Sequence, residues 1–133
     1  MIKKKILLVD DDPNLVLMTK SRLEASDFDV MSVQSGIEAI KAAEELKPDL
    51  IILDILMPAM EGIEVCHHLK AGEETRKIPV IVISGCNQKE VHARCIQAGA
   101  LVVVMKPFSA SELLALIKKA FDPESKWRKA KYD

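Results

Sequence analysis

Four apolar runs in this chain each end in a side chain suited to phosphoryl chemistry: ILLV before Asp10 and Asp11, LIIL before Asp54, VIVI before Ser84 and LVVVM before Lys106. An aspartate can attack phosphorus and carry it as an acyl phosphate, provided that the oxygens of the transferred group are neutralised. Lys106 offers a point charge with three donors, and the Ser84 hydroxyl offers one more hydrogen bond. Three carboxylates on one rim repel each other, and a divalent cation relieves that repulsion. Oxygen-only ligands select Mg2+ or Mn2+, and Mg2+ takes one or two carboxylates while keeping several waters. Asp11 and Asp54 are assigned as direct ligands, with Asp10 holding a metal-bound water. Taken singly, each group has a plainer reading: Asp-Asp as a solvated loop, Lys-Pro and Ser84 as turn residues, Asp12 as a helix cap. Their joint occurrence at four strand ends favours the chemistry.

The elements that must position these groups alternate. Short continuous apolar runs separated by helical patterns read as strands of a parallel sheet covered on both faces, which binds ligands at the carboxyl ends of its strands. Asp12-Pro13 is a cap followed by a first-turn proline, opening a helix to about Ala25. A strand near Val30 to Val33 leads into the capping box Ser35/Glu38 and a helix running to Pro48. The strand Leu50 to Leu53 places Asp54 where strand becomes loop, ahead of a short helix carrying Cys66 and Leu69. Val80 to Ile83 is followed by Asn87 as a cap, for a helix that Gly99 ends. Leu101 to Met105 leads to a second capping box, Ser109/Glu112, and a helix with Leu113, Leu116, Ile117, Ala120 and Phe121 on one core-facing stripe. Asp122-Pro123 closes it.

At 133 residues and 49% hydrophobic content, the chain suits one domain with one core. A formal net charge of -1 gives no basic field, so direct nucleic-acid contact is not expected of this domain. Lys3-Lys4-Lys5 is followed by too short an apolar stretch for a signal peptide, and no run is long enough to span a bilayer, so a cytoplasmic location without membrane insertion is expected. The three cysteines, Cys66, Cys86 and Cys95, are irregularly spaced and read as free thiols. Cys66-His67-His68 and His92/Cys95 do not make a full zinc set. From Glu124 to Asp133, basic residues interleave with Trp127 and Tyr132 without an apolar face. A solvated tail is the simpler reading and a linker or docking segment the other.

With VDDDP at the start, LDILMP around Asp54, then Ser84, then KPF at Lys106, the chain closely resembles the response-regulator receiver domain of two-component (phosphorelay) signalling. The likeness runs from Ile6 to about Phe121, and the separations of Asp54, Ser84 and Lys106 agree with it. It implies a flavodoxin-like (βα)5 fold: a doubly wound five-stranded parallel sheet, order 2-1-3-4-5, in three α/β/α layers. Residues 1–121 would form the receiver domain and 122–133 a C-terminal tail or the start of a linker. The resemblance makes Asp54 the phosphoacceptor and Asp10 and Asp11 the acidic pair at the metal. Leu56 becomes a ligand through its backbone carbonyl, and Ser84 and Lys106 contacts of the phosphoryl group. A sensor histidine kinase or histidine phosphotransfer protein would be the donor. The domain would act as a regulatory switch that assists its own phosphorylation and dephosphorylation, rather than as an enzyme. Phosphorylation would rearrange the face of the fourth helix, fifth strand and fifth helix.

One position departs from that pattern. The aromatic residue usually found three places before the lysine, which rotates inward, is here Val103. Valine cannot make such a rotation, and Leu101 to Met105 is more apolar than is usual for this strand. A downstream protein or a second copy is therefore expected on the face around Val103, the simpler alternative being a better-buried edge. Gly85 leaves the site open to a donor, and Cys86 lines a water route.

A phosphate-ester hydrolase of the haloacid dehalogenase type also uses an aspartate at a strand end, but its Asp-x-Asp motif needs a second carboxylate where Leu56 stands. A flavin module would want a glycine- and hydroxyl-rich phosphate loop where this chain has three aspartates. A receiver that signals by binding alone is opposed by the complete set of Asp10, Asp11, Asp54, Ser84 and Lys106.

Overall fold

A computed structural model describes residues 2–55 and 59–125. Strands β1 (Lys5–Val9), β2 (Asp29–Val33), β3 (Leu50–Ile55), β4 (Val80–Ser84) and β5 (Val102–Met105) alternate with helices α1 (Pro13–Ala25), α2 (Gly36–Leu46), α3 (Ala59–Ala71), α4 (Lys89–Gln97) and α5 (Ala110–Phe121). All pairings are parallel and the order is β2-β1-β3-β4-β5. This is the doubly wound, flavodoxin-like topology expected from the sequence.

The apolar runs are continuous because both faces of the sheet are covered. Along β1, Ile6 and Leu8 join Leu23 of α1 and Leu113, Ile117 and Ala120 of α5 in one core cluster. Leu7 and Val9 point the other way, toward Ala39 and Ala43 of α2, Cys66 and Leu69 of α3, and Cys95 of α4. The period-two alternation of a strand thus feeds two cores at once. β3, in the middle, is buried along its whole length.

Local chemistry sets the helix ends. The Asp12 carboxylate accepts from the amides of Asn14 and Leu15 at 3.0 and 3.4 Å, and Pro13 begins α1. Ser35 and Ser109 accept from the Glu38 and Glu112 amides. In return the Gln34 amide, one residue before the cap, donates to the Glu38 carboxylate. α4 ends in a Schellman turn, with Gly99 at φ 113 and the Ala100 amide donating to Cys95 O at 3.0 Å.

Several boundaries differ from those expected. β3 continues through Asp54 and Ile55, because Asp54 pairs with Ile83 and Ile55 with Ser84. Asp54 is therefore inside the ladder and not in the loop beyond it. α3 is thirteen residues long rather than short. α2 stops at Leu46, with Lys47 left-handed at φ 47. α4 is capped by Gln88 instead of Asn87, with no side-chain capping bond. At the β5 edge, Val103 is half-buried against the α2/α3/α4 side of the core, Val104 is buried, and Met105 is the exposed residue.

Candidate functional site

The parallel register brings the expected residues to one end of the sheet. Asp10 leaves β1, and its amide donates to Val33 O at 3.1 Å, so the chain still follows the sheet at that point. Asp54 ends the apolar part of β3, and Ser84 closes β4. The Lys106 amide donates to Ser84 O at 2.8 Å, adding one rung to the β4/β5 pairing. The lysine is thereby set across from the acidic groups.

The Asp54 side chain is fully enclosed, and Lys106 Nζ lies 2.6 Å from its Oδ2 while remaining partly exposed to solvent. Both carboxylate oxygens are buried with no hydrogen-bond partner, and the contact of Oδ2 with Lys106 is an ion pair. Asp10 is also buried, and its Oδ1 accepts from the Asp12 amide at 2.9 Å. Burial pushes the Asp54 carboxyl up to about 6; Lys106 opposes that shift, and Asp10 beside it adds to it. Asp11, one residue on, is exposed on the loop. Asp10 is thus the carboxylate held against Asp54, a distinction that the run of three aspartates does not reveal.

Ser84 is wholly buried and its hydroxyl is occupied. Its Oγ accepts from the Cys86 amide at 3.0 Å and donates to Cys86 O at 3.3 Å. His92 of α4 reaches the same carbonyl through Nε2 at 2.6 Å. Because a carbonyl oxygen only accepts, Nε2 carries the proton. Nothing in the sequence pattern marks His92, since a side chain closing on a loop carbonyl leaves no periodic trace.

A buried carboxylate oxygen without a partner, facing a second buried carboxylate, suits a small divalent cation that prefers oxygen ligands. Among the described residues no three acidic, histidine or cysteine side chains converge on one point, so water and backbone oxygen would complete such a site. The Leu56 carbonyl, and the tail carrying Trp127 and Tyr132, lie outside the described residues. Cys66 and Cys95 are buried and Cys86 is half-buried, none of them in a disulfide. Beside Lys106, an apolar groove of about 460 Å³ runs between α1 and α5, lined by Leu15, Met18, Arg22, Phe108 and Leu114. Among the described residues no helix is long and apolar enough to cross a membrane.

The family model for the response regulator receiver domain matches residues 6–118. The alkaline phosphatase synthesis transcriptional regulatory protein PhoP of Bacillus subtilis is 37% identical over 117 residues, covering 88% of this chain and 48% of that protein. The phosphate regulon transcriptional regulatory protein PhoB of Rhizobium meliloti is 37% identical over 114 residues, covering 86% of this chain and 50% of its own length. The chain thus spans about half the length of the curated relatives it matches. Among solved structures, the chemotaxis response regulator CheY4 of Vibrio cholerae superposes with a TM-score of 0.83 at 25% identity, over 90% of this chain and 100% of that one. The receiver domain of a signal transduction histidine kinase from Syntrophus aciditrophicus gives 0.82 at 31% identity, over 92% and 93%. With five parallel strands in the order 2-1-3-4-5, an enclosed aspartate at the end of β3 and a lysine against it, the chain belongs to the response regulator receiver domain family.

Proposed function

We propose that this domain is a phosphoacceptor switch. Asp54 takes a phosphoryl group from the phosphohistidine of a sensor histidine kinase or histidine phosphotransfer protein, and the modification changes which protein, or second copy of the domain, binds it. The observation that carries this reading is the setting of Asp54: an enclosed carboxylate, both oxygens buried without a hydrogen-bond partner, that meets Lys106 Nζ at 2.6 Å as an ion pair and lies against Asp10.

In the transfer, an Asp54 oxygen forms a bond to phosphorus while the phosphorus–nitrogen bond to the donor imidazole breaks. The electron pair stays on the ring nitrogen, which takes up a proton. Oδ1 is the attacking atom in this reading, since Oδ2 is paired with the ammonium. With its carboxyl titrating at about 6, Asp54 is ionised and nucleophilic at neutral pH. Lys106 is placed to follow the charge as it moves from the carboxylate to the phosphoryl oxygens. The Ser84 hydroxyl can donate to another of those oxygens once it leaves Cys86.

Asp10 and Asp54, with the Leu56 carbonyl, would hold Mg2+, or Mn2+ in its place, and Asp11 would join them only by its exposed loop closing on the ion. When bound, that ion neutralises phosphoryl oxygens and lifts the repulsion between the carboxylates. The groove between α1 and α5 gives a donor protein an apolar seat beside Lys106. The domain works as a regulatory part that also assists removal of its own phosphoryl group. A cytoplasmic setting matches a donor of that kind.

The test is intact-protein mass after incubation with acetyl phosphate or phosphoramidate and Mg2+, alongside Asp54→Asn and a sample with chelator. We expect one added phosphoryl mass in the parent and none in either control. No gain with small donors or with a phosphohistidine protein would leave a domain that signals by binding alone.

A further inference from the structure

The Ser84 hydroxyl has a single proton, and in this structure that proton is spent on Cys86 O at 3.3 Å. To help a phosphoryl group at Asp54, the proton must leave that carbonyl. A carbonyl that loses its donor in a half-buried loop is costly, and the cost would oppose the switch. Here the same oxygen already has a second donor, His92 Nε2, at 2.6 Å. It stays satisfied whichever way Ser84 turns.

We propose that His92 is a positioning residue for the Ser84 hydroxyl: by holding the Cys86 carbonyl, it frees Ser84 to donate to the phosphoryl group, and it ties that movement to α4. This rests on the phosphoacceptor reading above. Two further observations support it. α4 is capped by Gln88 without any side-chain capping bond, so the contact from His92 anchors the first turns of this nine-residue helix to the loop. Val103, half-buried against the α2/α3/α4 side, is too short to swing between two positions as an aromatic ring would. A hydrogen-bonded path from Ser84 through Cys86 O to His92 reaches α4 without such a rotation.

The experiment is a double-mutant cycle on the rate of acetyl phosphate labelling, followed by mass, using the parent, His92→Ala, Ser84→Ala and the double variant. His92→Gln is added because its amide can still donate to the carbonyl. Urea unfolding checks that each variant is folded. We expect His92→Ala to slow labelling about fivefold, roughly the worth of one hydrogen bond, and His92→Gln to recover most of the rate. In the Ser84→Ala background the His92→Ala change should have almost no further effect, because it acts through the missing hydroxyl. Multiplying effects, or equal losses in the alanine and glutamine variants, would overturn the proposal and leave His92 a structural contact. An unlabelled parent would overturn the phosphoacceptor reading, and this one with it, before any variant is compared.

Discussion

Asp54 is held where its charged form is unfavourable. Its carboxyl titrates at about 6 in the fold against 3.8 unperturbed, mainly because it is buried. Between those values the folded state keeps a proton that the unfolded chain has lost, so the contribution of Asp54 to stability falls as pH rises from about 4 to 7. The full difference is about 2–3 kcal/mol by linkage. We therefore expect metal-free Asp54→Asn to be more stable than the parent by about 1–3 kcal/mol at pH 7.5, and the gap to close toward pH 4. Urea unfolding of both proteins across that range measures it, and a gap independent of pH would contradict the assignment. Lys106→Ala removes the opposing charge. It should slow labelling about tenfold or more while leaving the protein folded, since it takes away a charge-assisted donor. This residue-level chemistry was readable in part. The types at the strand ends marked the groups that the sheet brings to one rim, but which of Asp10 and Asp11 lies against Asp54 depends on one step of backbone direction, and the bonds from Ser84 and His92 to Cys86 leave no mark on a pattern of residue types.

The elements were more legible than their ends. ILLV, LIIL and VIVI read as strands because a sheet covered on both faces buries every side chain of such a run. Asp54 and Ser84 interrupt the apolar pattern without interrupting the ladder, so strands judged by hydrophobicity alone stop short of them. α3 packs closely behind this strand end: a Cβ on Gly62 would lie 2.6 Å from Ile55 Cγ1. Gly62→Ala should thus cost about 1–3 kcal/mol by overpacking, and slow labelling by moving the strand that bears Asp54. Gly85 makes the contrast, since a Cβ there meets nothing within 4 Å. Gly85→Ala should leave stability unchanged or raise it by up to about 1 kcal/mol. Equal losses for both glycines in thermal unfolding would refute this account of how α3 meets the sheet.

For the molecule as a whole, the two cores are permanent while the acidic end is unbalanced. A cation that binds only the folded domain stabilises it by about 2.7 kcal/mol at a hundredfold excess over Kd. Mg2+ should raise the melting temperature of the parent by several degrees, and by much less in Asp10→Asn, where one of the two buried carboxylates is neutral. Differential scanning fluorimetry of both proteins with a Mg2+ and a chelator series reads both arms. The fold class followed from the alternation of runs, and the order of strands from the resemblance, whereas the enclosure of the site depends on the packing of β3, β4 and β5 together. The rung from the Lys106 amide to Ser84 O makes the rim of the site part of the sheet. In deuterated solvent, that amide should exchange as slowly as those in the middle of β3, while the exposed Asp11 exchanges at once. The rim that carries Asp54, Ser84 and Lys106 would then come apart only when the whole domain does, leaving its loops to carry the motion.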